Sequence, residues 1–342
     1  MKVKNAIKKS LCGVGIAVLA LVICSVLLFV LMQTDWGRKG TADFIGGVLS
    51  EGDQRNVEIT GLKGRFPFHF HVGRISWSDG EGPWLMAQGI RIHWSPWDLL
   101  DGMVRIKALH ASALNFERAP REKVKALTPS PWPPAWIAVL GKVRVEDFLV
   151  ERFSLGERVL GEAAVFRAEG WLKSSPHEQE ASVTATRLDR KGTSLGARAL
   201  LKNGRLALDV TAHDQGDILA SAIGLEGPLS VSLQGEGEIE HWEGSLIART
   251  EAYGELKSDV VLGAGRDVTV KAAGSLHLRQ ESISPALSHW IGGETPLYLE
   301  AVITKETLTV RRFALNRDDA GFALAGSMNL HTGNVDGRFI LN

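Results

Sequence analysis

Histidines spaced two residues apart are the first candidates for side-chain chemistry in this chain. In a strand, His69-Phe70-His71 would place both imidazoles on one face, where they could hold a metal ion together with His93. No cysteine and no His-x-x-Glu pattern accompanies them, and solvent-facing strand histidines are the simpler interpretation. We therefore predict no metal site.

The rest of the sequence predicts no catalytic centre. The G-x-x-x-x-G-K-[ST] phosphate loop is absent, and Gly235-Glu236-Gly237 and Gly263-Ala264-Gly265 are typical of strand turns rather than of dinucleotide binding. A Ser-His-Asp set can be assembled from many residues, but we predict no nucleophile elbow. We expect neither enzymatic activity nor a cofactor. The 39 Lys and Arg residues balance 39 Asp and Glu without a long run of one sign, which disfavours a nucleic-acid surface.

The dominant pattern beyond residue 52 is a short alternating strand that ends at Gly, Asn or Asp. Val268, Val270 and Ala272 alternate with polar or small residues, which predicts a strand with one apolar face. The residues predicted to form such apolar faces are Leu206, Leu208, Val210, Val268, Val270, Ala272, Leu276, Leu278, Leu297, Leu299, Ile303, Phe322, Leu324, Met328 and Leu330. The residues predicted to face water on the other side are Lys271, His277, Arg279 and Lys305. Asn203-Gly204 favours a type I′ hairpin turn, and we expect an antiparallel meander.

Helix signals are few. Ser95 as N-cap, Pro96 at the first position and Gly102 beyond the end predict a short helix between strands around 90–94 and 103–109. Residues 281–292 are expected to form either a second short helix or a loop. The predicted segments are a basic tail (1–10), an uncharged anchor (11–32), a juxtamembrane helix (33–52), a membrane-proximal β unit (53–118), a proline-rich connector (119–136) and a longer β-sheet (137–342).

Residues 11–32 are 22 consecutive residues without a charge. As a helix they would be roughly 33 Å long, enough to cross a hydrocarbon core of ~30 Å. The lysines that precede them predict a cytoplasmic N-terminus and a periplasmic remainder. The apolar run is too long for a signal peptide, so we expect an uncleaved, single-pass anchor in a bacterial inner membrane. Trp36, Phe44 and Ile45 would then lie at the membrane interface, or in a short helix packed on the first strands.

Many of the predicted strands have one apolar face, and few helices are available to cover it. The apolar faces must therefore be removed from water in another way. A β-sandwich does this with a second sheet and is the more common solution from periodicity alone. The alternative is a long curved sheet whose concave face remains an apolar groove. Both alternatives are open at this point.

Several segments resemble the N-terminal region of TamB-type members of the AsmA-like family of Gram-negative envelope proteins. The matching segments are VEITGLKGRFPFHF (57–70), ISWSD (75–79), IHWSPWDLL (92–100), LEGPLS (225–230) and HWEGSL (241–246). The resemblance implies an inner-membrane protein whose elongated antiparallel sheet is curved into a taco-like groove for phospholipid acyl chains. It also implies a TamA-like outer-membrane partner and outer-membrane protein clients. Family members are several times longer, so we expect this chain to be a fragment or a short relative.

Three functions compete on this basis. The first is conduction of phospholipid toward the outer membrane along an apolar β groove. The second is a scaffold for outer-membrane protein insertion and autotransporter secretion, which would pair with clients through strand edges. The third is an anchored spacer. Trp77, Trp84, Trp94 and Trp97 would line a mouth for lipid in the first case, or form the core of a small β unit.

Overall fold

The computed structural model describes residues 56–65, 68–120, 142–216, 218–222, 224–265, 267–279, 281, 293–304, 306–317, 320–329 and 334–341, together with Gly40. Nineteen strands within these ranges form one sheet. The strands are β1 (Asn56–Thr60), β2 (Lys63–Arg65), β3 (His69–Asp79), β4 (Gly82–Ser95), β5 (Met103–Ala111), β6 (Ala113–Phe116), β7 (Lys142–Leu155), β8 (Ala164–Ser174), β9 (Glu178–Arg187), β10 (Ser194–Lys202), β11 (Arg205–Asp214), β12 (Leu229–Glu238), β13 (His241–Thr250), β14 (Gly254–Ala264), β15 (Val268–Leu278), β16 (Gly293–Ile303), β17 (Thr307–Arg317), β18 (Ala320–Asn329) and β19 (Val335–Leu341). The predicted mainly β fold with few short helices is confirmed.

The first strands are interrupted rather than continuous. β1 and β2 both pair with β3, and β5 and β6 both pair with β4 on one side. On the other side β5 and β6 run parallel to β7. This parallel step joins the strands before the proline-rich segment to those after it, so both predicted β units contribute to the same sheet.

From β7 to β19 each strand pairs antiparallel with the next one in the chain. The predicted meander is therefore present. At the β10–β11 turn Asn203 has φ 51° and Gly204 has φ 80°. Both residues are left-handed, as a type I′ turn requires, which confirms the turn predicted from Asn-Gly.

The pairing register differs along the sheet. It shifts once between β3 and β4, once between β4 and β5, twice between β7 and β8, and again between β16 and β17 and between β17 and β18. No shift occurs in the pairings from β8 to β16. A shift inserts a residue and bends the strand locally, so the middle of the sheet is its most regular part.

Three short helices occur within the described ranges: a 3-10 helix at Pro96–Asp101, α1 at Glu157–Leu160 and α2 at Leu219–Ala222. The 3-10 helix lies where the sequence predicted a helix. Its Gly102 cap has φ 67°, and the Gly102 N–H donates to the carbonyls of Asp98 and Leu99. Ser95 occupies the N-cap position, but its side chain accepts no capping hydrogen bond.

Several predicted features lie outside the described residues. They are the anchor at 11–32, the interface residues Trp36, Phe44 and Ile45, most of the connector at 119–136, and nearly all of 281–292. Among the residues that are described, none belongs to a helix long and apolar enough to cross a membrane.

Candidate functional site

Residues paired directly across neighbouring strands point to the same side of a sheet, so the register shows which side chains share a face. One row runs Leu208, Gly235, Gly244, Val260, Ala272, Leu299, Phe313 and Leu324 from β11 to β18. We call the side of the sheet that carries this row the apolar face. Every described residue predicted to form an apolar strand face lies on it: Leu206, Leu208, Val210, Val268, Val270, Ala272, Leu276, Leu278, Leu297, Leu299, Ile303, Phe322, Leu324 and Met328. Leu330 is outside the described residues.

The apolar face continues into the first strands. A second row runs Val183, Gly170, Phe148, Leu109, Ile92 and Phe70 from β9 back to β3. The step through β5 and β7 is parallel, but paired residues still share a face. The described strands therefore present one apolar surface from end to end, with no second sheet among them.

Burial on the apolar face is incomplete. The side chains that are nearly inaccessible are mostly small, such as Ala168, Ala212 and Ala301. Large residues on this face remain accessible: Val183 is 39% exposed, Leu195 37%, Ile303 37% and Val335 74%. A surface that is apolar and still accessible can take up an alkyl chain, because each CH₂ removed from water contributes about 0.8 kcal/mol.

Trp242 is the largest fully buried side chain on the apolar face, at 1% exposure. Its indole lies over Gly235 and Gly244, which are paired directly across β12 and β13. A Cβ atom at either glycine would come within 2.5 Å of the ring. Val260 and Ala272 complete the buried cluster. This packing gives a physical reason for the Gly-x-Gly and Trp-x-Gly pattern: glycine provides the space that the indole fills.

Polar residues also occur on the apolar face near the strand ends, where ion pairs or hydrogen bonds satisfy their charged groups. The buried Arg187 side chain is paired with Glu162 at 3.1 Å and Asp189 at 3.0 Å. The hydrogen bond from Arg187 is the main reason that the pKa of Asp189 falls to about 2.

The buried carboxylate of Asp214 accepts hydrogen bonds from the Thr193 hydroxyl at 3.1 Å and from the Ala220 N–H at 3.1 Å. Burial is the largest single influence on its pKa and acts to raise it. The hydrogen bonds from Ala220, Ile218 and Thr193 together outweigh burial and lower the pKa. These groups hold turns and α2 in place, and we assign them a structural role.

The opposite side of the sheet is polar and carries cross-strand ion pairs. Arg198 binds Glu180 at 2.7 Å, and Arg249 binds Glu255 at 2.6 Å. The register places Lys271 and His277 on this side, and both are exposed. Arg279 directly follows β15 and is exposed, whereas Lys305 is outside the described residues.

The histidines proposed as metal ligands lie on the polar side of β3 and β4. His69 is paired directly with His93, their ring centroids 3.9 Å apart, whereas His71 is opposite Arg91. Desolvation, followed by His69 and Lys107, lowers the pKa of His93, so this imidazole is neutral at pH 7. With His110 they line a shallow cavity of about 350 Å³. No group of three or more metal-ligand side chains occurs in metal-binding geometry within the described ranges.

One serine motif is also structural. Gly192-Thr193-Ser194-Leu195-Gly196 has the Gly-x-Ser-x-Gly spacing of hydrolases, so the prediction that no motif of this kind occurs is wrong. A nucleophile elbow lies between a strand and a helix. Ser194 instead begins β10 after a turn from β9, and Thr193 donates to Asp214.

The four tryptophans near the predicted anchor do not form a single cluster. Trp77 packs against the buried residues Val72, Ala87 and Ile90. Trp84 lies against Phe116, with ring centroids 6.0 Å apart, where β4 begins. Trp94 lies near the other end of β4, and Trp97 is 70% exposed in the 3-10 helix that follows it.

Sequence reasoning missed part of the apolar face. Val183 and Leu195 were not predicted because alanine dominates the alternating positions of β9 and β10. Trp242 was missed as well, although the alternation of Trp242, Gly244 and Leu246 could have revealed it. Phe148 was not predicted because the register shifts of β7 interrupt the alternation of apolar and polar residues along that strand.

Comparisons with protein-family models, with curated proteins and with solved structures gave no match.

Proposed function

We propose that the apolar face binds phospholipid acyl chains and that the protein conducts lipid along its sheet, from the membrane that anchors it toward the outer membrane. The observation that carries the proposal is the register: apolar residues of successive strands share one face, and several large ones remain accessible. The resemblance to the AsmA-like family supports the same assignment, including a sheet curved into a groove around the chains.

The energetics favour sliding over tight binding at one place. An acyl chain of about sixteen carbons gains roughly 10 kcal/mol from a continuous apolar surface, spread evenly along its length. The regular pairing from β8 to β16 repeats similar side chains every strand, so neighbouring positions are close in energy. The headgroup stays in water at the margin of the sheet, where the strand ends carry polar residues.

The test uses a photoreactive amino acid in the full-length chain in a Gram-negative host. Val183 and Thr184 are neighbours in β9 and both are exposed, but they lie on opposite faces. We expect crosslinking to phospholipid at position 183, and equally at 195 and 303, but not at 184. Equal labelling at 183 and 184, or none at either, would refute the proposal.

A charge on the apolar face gives a second readout. Val183→Asp should reduce lipid crosslinking at positions 195 and 303, because an alkyl chain that passes over this face would have to remove the carboxylate from water. Thr184→Asp adds the same charge on the polar face and should have no effect. Since both residues are exposed, neither substitution should unfold the sheet.

Scaffolding of outer-membrane protein assembly is the second candidate. Among the described strands β19 pairs on one side only, with β18, and its other edge is the candidate site for β-augmentation. This function predicts protein crosslinks from the exposed Asp336 and Arg338, and tolerance of Val183→Asp. The two sets of crosslinks distinguish the two functions.

A further inference from the structure

An apolar tip projects from the turn between β4 and β5. Trp97 is 70% exposed, Leu99 46% and Leu100 83%, all within the six-residue 3-10 helix. Exposed large apolar side chains are uncommon in the described residues, and no other turn has three. We call Trp97, Leu99 and Leu100 the β4–β5 tip.

The backbone of the tip is well defined. Pro96 fixes the first turn and the left-handed Gly102 ends it. The ring of Trp97 lies 6.3 Å from that of Phe68, which precedes β3. The tip is therefore a projection with a defined backbone, and this backbone leaves its apolar side chains exposed.

Two other turns along the same rim of the sheet are polar. The β10–β11 turn is Asn203-Gly204, and the β16–β17 turn contains Thr304 and Thr307, which hydrogen-bond to each other. Such residues suit contact with water. The apolar side chains of the β4–β5 tip consequently call for a different environment.

The sequence of the chain points to a lipid bilayer as the partner of the tip. The 22 uncharged residues at 11–32 end shortly before β1, the edge strand at position 56. β1 begins opposite Ser78 of β3, beside the start of β4, so the tip lies about 40 Å along β4 from the point where the chain enters the sheet. A chain of 23 residues, the length of 33–55, can extend over about 75 Å, which is enough to cover that distance. Exposed Lys63 and Arg65 on β2 would face anionic headgroups beside the tip.

We propose that the β4–β5 tip inserts into the headgroup region of the bilayer that holds residues 11–32, and so docks the first strands of the sheet against the membrane surface. Tryptophan favours this interfacial layer. The carboxylates of Asp98 and Asp101 in the same helix oppose deeper insertion into hydrocarbon. Since the chain is already tethered, a small apolar surface is sufficient, because the second contact is intramolecular.

This docking role goes beyond lipid conduction and does not depend on it. A sheet that never binds an acyl chain can still dock through its tip. Crosslinking at position 183 tests conduction, whereas a probe at position 100 tests docking, so failure of one leaves the other measurable.

The experiment uses the full chain with Cys12→Ala and Cys24→Ala, since these are its only two cysteines. Leu100→Cys is labelled with the fluorophore NBD after reconstitution into vesicles of phosphatidylethanolamine and phosphatidylglycerol. Leu188→Cys is the matched control, because Leu188 is also an exposed leucine, at 49%, but lies in the turn between β9 and β10.

We expect blue-shifted NBD emission at position 100 and its quenching by doxyl-labelled lipid, with neither effect at 188. Adding Trp97→Ser should reduce the quenching at position 100. Equal, water-like emission at both positions would overturn the proposal. A blue shift at 100 that doxyl lipid does not quench would also overturn it, since it would show that the tip contacts protein rather than lipid.

Discussion

The segment from β3 to β8 and the segment from β8 to β16 belong to one sheet but bury their apolar residues differently. The first contains four register shifts, and the second contains none. Val72, Ala87 and Ile90 form a buried cluster in the first, surrounded by partly buried aliphatic and aromatic side chains. The second also has a buried cluster, of Trp242, Val260 and Ala272, but Val183 and Leu195 remain exposed there.

The difference in register shifts gives a physical reason for the difference in burial. A register shift turns side chains and bends its strand, which lets apolar groups gather into a local core. A ladder without shifts keeps its apolar rows straight and evenly spaced, which leaves a continuous surface. The first segment is thus locally packed around its buried cluster, whereas the second keeps accessible apolar residues on a regular ladder.

The largest effect is expected from Trp242, which has the largest fully buried side chain among the described residues. Trp242→Ala removes the indole from above Gly235 and Gly244, where no other side chain can replace it. We expect a loss of about 3–5 kcal/mol in unfolding free energy. Urea unfolding of the detergent-solubilised full chain measures it, with the exposed Trp97→Ala as control. A loss below that of the control would mean that the regular segment needs no packing anchor.

A pair of substitutions tests the comparison directly. Ile90→Ala in the buried cluster, where Ile90 is 6% exposed, should cost about 2–5 kcal/mol. Leu195→Ala in the regular segment, where Leu195 is 37% exposed, should cost less than about 1 kcal/mol. Hydrogen exchange of the neighbouring strands reports each change locally. Similar costs at both positions would show that the two segments are packed alike.

The sequence predicted the strands better than their burial. The alternation of Val268, Val270 and Ala272 was sufficient to place these side chains on one face, because the register there is regular. Periodicity alone left a sandwich and a single sheet open, because the alternation in a strand does not say what lies opposite its apolar side. The family resemblance favoured the single sheet that the structure shows. The pairing of β5 with β7 joins residues more than thirty positions apart and has no local signature.

Acid should weaken the turn that follows β9 before it affects the buried cluster. The pKa of Asp189 is lowered from 3.8 to about 2 in the folded state, so its stabilising contribution is complete above about pH 4. It is lost as the pH falls from about 4 to about 2, and we expect about 1–2 kcal/mol after solvent screening. Hydrogen exchange of β9 and β10 against pH measures the loss. Asp189→Asn should remove the pH dependence in this window; if it persists, another carboxylate is responsible.

The smallest effect concerns the turns that keep the regular segment in register. Gly204 has φ 80° and has open space around the position of a Cβ atom, so Gly204→Ala would change backbone strain without creating a clash. A left-handed conformation costs an L-residue about 1 kcal/mol, and we expect that loss in urea unfolding. Gly337→Ala in β19 is the control, because a Cβ atom there would make ordinary contacts of 3.6 Å or longer. Equal effects at both positions would indicate that the β10–β11 turn relaxes without cost and that the strands alone set the register.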